Sequence, residues 1–148
     1  MQLVGIYVWQ GKAFLPVKAQ IASGPFMDIE PVYVAELNPI ELVNAMEKVI
    51  AAGHPRLPDP TREEVRLQKS PTLRATKARS WKALARTGAC YTIEWNGSKI
   101  LIDMSRLDAQ GRWEYDPQKK RSLPVDTPLQ MIADIILQDV QSRPEVMG

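Results

Sequence analysis

Cys90 and His54 are the only cysteine and the only histidine in the 148 residues. Together they offer a thiol nucleophile and a base. That chemistry needs the two within hydrogen-bond reach and a thiol pKa lowered by its surroundings. No local motif supplies either condition, and a lone cysteine in an apolar strand reads first as a small buried hydrophobe. One Cys and one His cannot complete the four-ligand set of a structural zinc site. A single cysteine also forms no internal disulfide, which is compatible with a reducing compartment. Paired carboxylates are the other acid–base candidates. Glu94 and Asp103 fall on facing strands of one expected hairpin, where they read as its solvent face with Lys99 nearby. Asp134 and Asp139 are five apart and share a helix face poorly. The chain holds no glycine-rich phosphate loop, no G-x-S-x-G elbow and no H-E-x-x-H. Absent motifs do not exclude an enzyme, but one His and one Cys exclude most Ser-His, Cys-His and zinc chemistries that lack another source of base or ligand, and no cofactor or metal is expected.

Charge is more informative. The formal net is only +2, which announces neither a strongly basic nucleic-acid binder nor an acidic mimic. Its distribution is uneven. Residues 1–58 carry four basic and five acidic side chains, and residues 87–148 carry seven and nine. Residues 59–86 carry eight basic and three acidic, a local net of +5. From Arg74 to Arg86 the run Arg74, Lys77, Arg79, Lys82, Arg86 contains no acidic residue and includes Trp81. Arg and Trp are favoured anchors at protein interfaces. The same groups could neutralise phosphates and stack on a base, or simply form a solvated surface with Trp81 packing inward. Trp113 and Tyr115 share a face of a short strand and would make a second anchor if exposed. Lys119-Lys120-Arg121 reads either as an extension of that patch or as charge that keeps a loop soluble. Tyr91, Ile93 and Trp95 share a strand face and read as core.

The elements that position these residues follow from periodicity and turn chemistry. Leu3 to Trp9 is a β-rich apolar run, Gln10-Gly11-Lys12 a turn, and Ala13 to Ile21 alternates with period two. Pro16 removes a ladder donor, so that strand lies at an edge or carries a bulge. Ile29 to Leu37 is a third strand. Asn38, Pro39 and Glu41 then form a helix start, and Gly53 ends that helix. Residues 54–79 are a Pro-rich basic connection with one helical turn around Thr61 to Leu67, and a short helix spans Ser80 to Arg86. Cys90 to Trp95 and Lys99 to Met104 flank Asn96-Gly97, a strong hairpin signal. Arg112 to Tyr115 is a further strand. The last helix is expected to start with Thr127 as cap and Pro128 at its first position, with Leu129, Ile132, Ala133, Ile136 and Val140 as its apolar stripe.

The two ends repeat one plan of three strands and a Pro-started helix. Asn38-Pro39-Ile40-Glu41 answers Thr127-Pro128-Leu129-Gln130, which reads either as a duplication or as two ordinary meanders. The expected fold is α+β over a single domain, residues 1–148. It has about six strands in antiparallel meanders, two main helices on one face and a short central helix, with the Pro-rich middle wrapped outside. No run of 18 apolar residues or signal-peptide pattern is present, so a cytoplasmic protein is expected. The favoured function is a non-enzymatic protein-binding module. It would be a small bacterial-type immunity or inhibitor protein that occludes a toxin or enzyme. The alternative is a nucleic-acid-binding module using residues 74–86, and an enzyme comes third.

Overall fold

The computed structural model describes residues 1–147; Gly148, the last residue of the expected domain, lies outside the described residues. Three strands open the chain: β1 (Gln2–Trp9), β2 (Lys12–Ile21) and β3 (Phe26–Glu36). Gln10 and Gly11 both take positive φ, 49° and 74°, the conformation a two-residue hairpin loop requires. Helix α1 (Pro39–Ala52) follows. The Asn38 side chain accepts the Glu41 N–H at 2.9 Å, and Gly53 leaves the helix at φ 68°. The middle segment holds β4 (Arg56–Leu57), α2 (Arg62–Leu67), α3 (Pro71–Thr76) and α4 (Trp81–Thr87). The chain then forms β5 (Ala89–Trp95), β6 (Lys99–Leu107), β7 (Trp113–Tyr115), β8 (Arg121–Pro124), α5 (Leu129–Gln141) and α6 (Pro144–Met147).

The strands make one sheet in the order β3-β2-β1-β5-β6-β7. β8 lies along the other end of β6, and β4 runs parallel to the end of β2. The first meander and the second meet at β1 and β5, which pair antiparallel from Gln2↔Trp95 to Val8↔Ala89. The fold is α+β, as expected, with eight strands. β4 has two residues, and β8 leaves three of its four side chains exposed, so neither carries an alternating apolar pattern.

Helices α1 and α5 cover one face. Their residues Leu42, Met46, Ile132 and Ile136 are fully buried against Ile6, Leu15, Tyr91, Ile93 and Ile102 of the strands. Each such side chain contributes roughly 1.5–3 kcal/mol of apolar burial. The middle segment is not merely an outer wrap. Leu73, Ala78 and Leu84 form a second cluster with Trp9 and Trp113, which docks α3 and α4 on the opposite face. One proline expectation holds and one helix-start expectation changes. The place of Pro16 is as expected and only the detail is new: the β1–β2 ladder has ended before it, and the β2–β3 register shifts beside it by a bulge in β3. Thr127 is not the cap of the last helix: its hydroxyl donates to the Pro124 carbonyl at 2.7 Å, and Pro128 takes the cap position with no side-chain bond.

The regular β1–β2 ladder stops at Tyr7↔Phe14. Beyond it the His54 ring bridges the two strands. Nε2 accepts the Leu3 N–H at 3.0 Å, which leaves Nδ1 to donate to the Lys18 carbonyl at 2.7 Å. His54→Ala strands both backbone groups, and a loss of about 2 kcal/mol is expected in urea unfolding. A loss below about 0.5 kcal/mol would mean that water replaces the ring.

Candidate protein-binding surface

Helix α4 carries the basic segment and is fixed at both ends. The Ser80 hydroxyl accepts the Ala83 N–H at 3.1 Å. At the other end Gly88 is buried, and a Cβ there would lie 2.5 Å from the Leu84 carbonyl oxygen and 2.8 Å from that of Val8. Leu84 and Ala85 face inward and are buried. Trp81 rests on Tyr7 at a ring separation of 5.4 Å and meets Trp113 at 6.3 Å; Tyr7 and Trp113 stack at 5.8 Å. Such aromatic packing adds about 0.5–1.5 kcal/mol per pair beyond area burial.

An ion pair lies under the aromatic trio. Lys18 and Asp28 are cross-strand partners on β2 and β3, joined at 2.6 Å with about one-eighth of each side chain exposed (13% and 12%). The Tyr7 hydroxyl donates to the second Asp28 oxygen at 2.9 Å. Burial, followed by the Asp28 charge, pushes the Tyr7 hydroxyl far above its ordinary range, so it remains a donor. Gly5 leaves room for the Lys18 stem, since a Cβ there would lie 2.7 Å from Cε. Sequence reading missed this constellation. Its one signal was the polar Lys18 on the same β2 face as Phe14 and Pro16, both of which are buried.

The outer side of α4 differs. Among the described residues, Lys77, Arg79, Lys82 and Arg86 have no carboxylate within ion-pair distance, whereas Arg106, Arg112, Lys119 and Arg143 all do. The sequence's local excess of positive charge therefore becomes a surface of unpaired cations. Arg74 is not one of them: it pairs with Glu30 of β3 at 3.1 Å. Its neighbourhood is a separate cavity of about 610 Å³ between β3 and α2–α3, which Trp81 also borders. Trp113 is largely packed beneath Trp81, and Tyr115 is half-exposed with its hydroxyl bonded to that of Thr92. The fold thus gathers Lys77, Arg79, Lys82 and Arg86 around α4, joins Trp81 to Trp113 by contact, and directs Arg74 and Tyr115 to other partners.

Most of the groups singled out for chemistry are engaged elsewhere. Both His54 ring nitrogens are bonded to backbone. Burial pushes the Cys90 thiol up to about 12, more than the nearby Lys18 charge can offset. Asp103 pairs with Lys120 at 3.8 Å, and its facing residue is Thr92 rather than Glu94. Asp139 is tied to Lys119, Arg143 and Tyr91, while Asp134 is exposed. The described residues contain no group of three His, Cys, Asp or Glu side chains placed to hold a metal. No helix among them is long and apolar enough to cross a membrane. At pH 8 iodoacetamide is expected to leave native Cys90 unmodified while fully alkylating the urea-unfolded chain. Equal rates in both states would show an accessible thiolate.

No family model and no curated protein matches this chain. Solved structures share its fold, among them the following two. One is a protein of unknown function, NMB0488 from Neisseria meningitidis, with a TM-score of 0.64, 12% identity, and coverage of 94% of this chain and 93% of that one. The other is a chain of a CdiA-CT/CdiI toxin and immunity complex from Yersinia pseudotuberculosis, with a TM-score of 0.62, 15% identity, and coverage of 95% of each chain. At such identities the likeness is one of fold, and it runs through nearly the whole chain.

Proposed function

We propose that this protein is a non-enzymatic protein-binding module of the immunity or inhibitor type, acting in the cytoplasm by covering a toxin or enzyme. The observation that carries this reading is the contrast just described. His54 and Asp139 are bonded into the fold and Cys90 is held as a thiol, while among the described residues the cations around α4 have no ion partners. Trp81, 40% exposed, borders them and is held rigidly by Tyr7 and Trp113. A pre-ordered Trp beside Arg side chains suits a hot spot, because little conformational entropy is lost on docking. The fold shared with a chain of a toxin and immunity complex adds support.

Affinity capture from source-cell lysate tests the reading, with nuclease present and at low and moderate salt. A discrete protein is expected to survive both treatments and to lose its activity when saturated with the module. Desolvated contacts hold much of their affinity in salt, whereas phosphate contacts weaken steeply through counterion release. Recovery of nucleic acid that washes off with salt would replace the reading with a nucleic-acid-binding one. A captured protein that keeps full activity would remove the inhibitor role.

A further inference from the structure

Two cavities flank the outer side of α4. One, of about 380 Å³, is lined by Arg79, Lys82 and Arg86 and reaches Leu107 and Gly111 at the β6–β7 turn. The other, of about 600 Å³, is lined by Lys77, Arg79 and Arg86 and reaches Trp9 and Gln10 at the β1–β2 turn. They share Arg79, Ala83 and Arg86, so together they form one trough across the helix. Lys82 and Arg86 are four apart and stand on the same side of α4. Among the described residues Glu145 of α6 is the one carboxylate that lines the trough, and it pairs with none of the four cations.

We infer that the partner engages this trough with a linear acidic segment, a run of Asp and Glu residues laid across α4. This rests on the protein-binding reading above and names the chemistry of the partner's contact. The helix is seven residues long, about 10 Å, which an extended segment of roughly three to four residues spans. Lys82 and Arg86 lie on that length and Lys77 and Arg79 in the loop before it, so a run of carboxylates that continues past the start of the helix meets all four. The floor between them is Ala83 and Leu107, which suits the carbons of a peptide. A nucleic acid would want exposed aromatic platforms between the cations. Here Trp81 lines neither cavity, and Trp9, the one ring that does, stands at the far end by the β1–β2 turn rather than between the cations.

Fluorescence polarisation with a labelled decaglutamate peptide tests this on the full chain. The wild type is expected to bind it, and Arg79→Glu with Arg86→Glu to weaken binding by about tenfold or more. Arg62→Glu with Arg66→Glu makes the same charge change on α2, also among exposed cations without ion partners, and is expected to alter binding by less than about twofold. Circular dichroism checks that the variants fold, and Arg79→Gln with Arg86→Gln serves if charge reversal unfolds the chain. Absence of wild-type binding, or equal losses in both variant pairs, would overturn the inference. So would a labelled oligothymidylate of equal charge that displaces the peptide. A captured partner that is inhibited and indifferent to the Arg79 and Arg86 changes removes the acidic-segment inference and leaves the module reading standing. Site-specific peptide binding without a captured partner does the reverse.

Discussion

Gly88→Ala is expected to cost about 3 kcal/mol and to lift α4 from the sheet. The backbone at Gly88 is ordinary, with φ −120° and ψ 179°, so conformational freedom is not the reason. The obstacle is steric. The new methyl would meet two carbonyl oxygens, that of Leu84 at 2.5 Å and that of Val8 at 2.8 Å. Both belong to backbone, one to the helix and one to the central strand, so no side-chain rotation relieves the contact. Either the end of α4 or β1 must move, and β1 is locked between β2 and β5. Gly5→Ala is the matched control. Its methyl would meet the Lys18 Cε at 2.7 Å, a flexible stem that can swing aside, and a loss nearer 1 kcal/mol is expected. Urea unfolding of the two variants decides. Equal small losses would show that α4 accommodates the methyl without strain. If α4 shifts as expected, decaglutamate binding falls in Gly88→Ala even where the chain remains folded, because the trough depends on where the helix sits.

Asp139→Asn is expected to destabilise by about 3 kcal/mol at neutral pH and to flatten the acid limb of the stability curve. Asp139 accepts from Lys119 at 2.7 Å, from Arg143 Nε at 2.8 Å and from the Tyr91 hydroxyl at 2.6 Å. Arg143 also donates to the Ser105 carbonyl at 2.6 Å. One carboxylate thereby ties α5 to β5 and to the turn before β8. Removing its charge leaves Arg143, whose side chain is 12% exposed, without a counterion. Burial disfavours the charged Asp139 carboxylate, but the bonds from Lys119 and Tyr91 and the charge of Arg143 outweigh it and hold its pKa below the ordinary range. The native state therefore favours the ionised form. The stabilisation is fully present above the unfolded value, about 3.9, and disappears as pH falls through the lower native value. Wild-type urea midpoints should drop in that window, while Asp139→Asn starts lower and drops less. Parallel curves for the two proteins would assign the acid transition to other carboxylates.

What could be read in advance was local. The start of α1 was legible because Asn38, Pro39 and Glu41 satisfy the first backbone donors within four residues. The β5–β6 hairpin was legible because Asn96 accepts the Ser98 and Lys99 N–H groups and Gly97 takes φ 93°. The start of α5 slipped because Thr127 was drawn to the Pro124 carbonyl, a competing turn of similar length. Helix α3 escaped because six residues after Ser70-Pro71 show too little periodicity to separate from a loop. The site followed the same division. The excess of cations in residues 59–86 is a property of composition. That Arg74 meets Glu30 while its neighbours meet nothing depends on where β3 lies, which composition does not specify. Tyr7, Lys18 and Asp28 come from three strands, and only register brings them together.

The seam between β1 and β5 bears on how the chain folds. The β1–β2, β2–β3 and β5–β6 pairings join neighbours in sequence, across short turns that close quickly. β1 and β5 are separated by the whole of α1 and the middle segment, so pairing Val8 with Ala89 closes a long loop before any contact rewards it. Both meanders can zip up early and separately, and the centre of the finished sheet is the last part to close. Until then Val4 and Ile6 on one side, and Tyr91 and Ile93 on the other, line open strand edges. The most deeply buried strands of the native protein are thus the ones most exposed to mispairing with another chain during its synthesis.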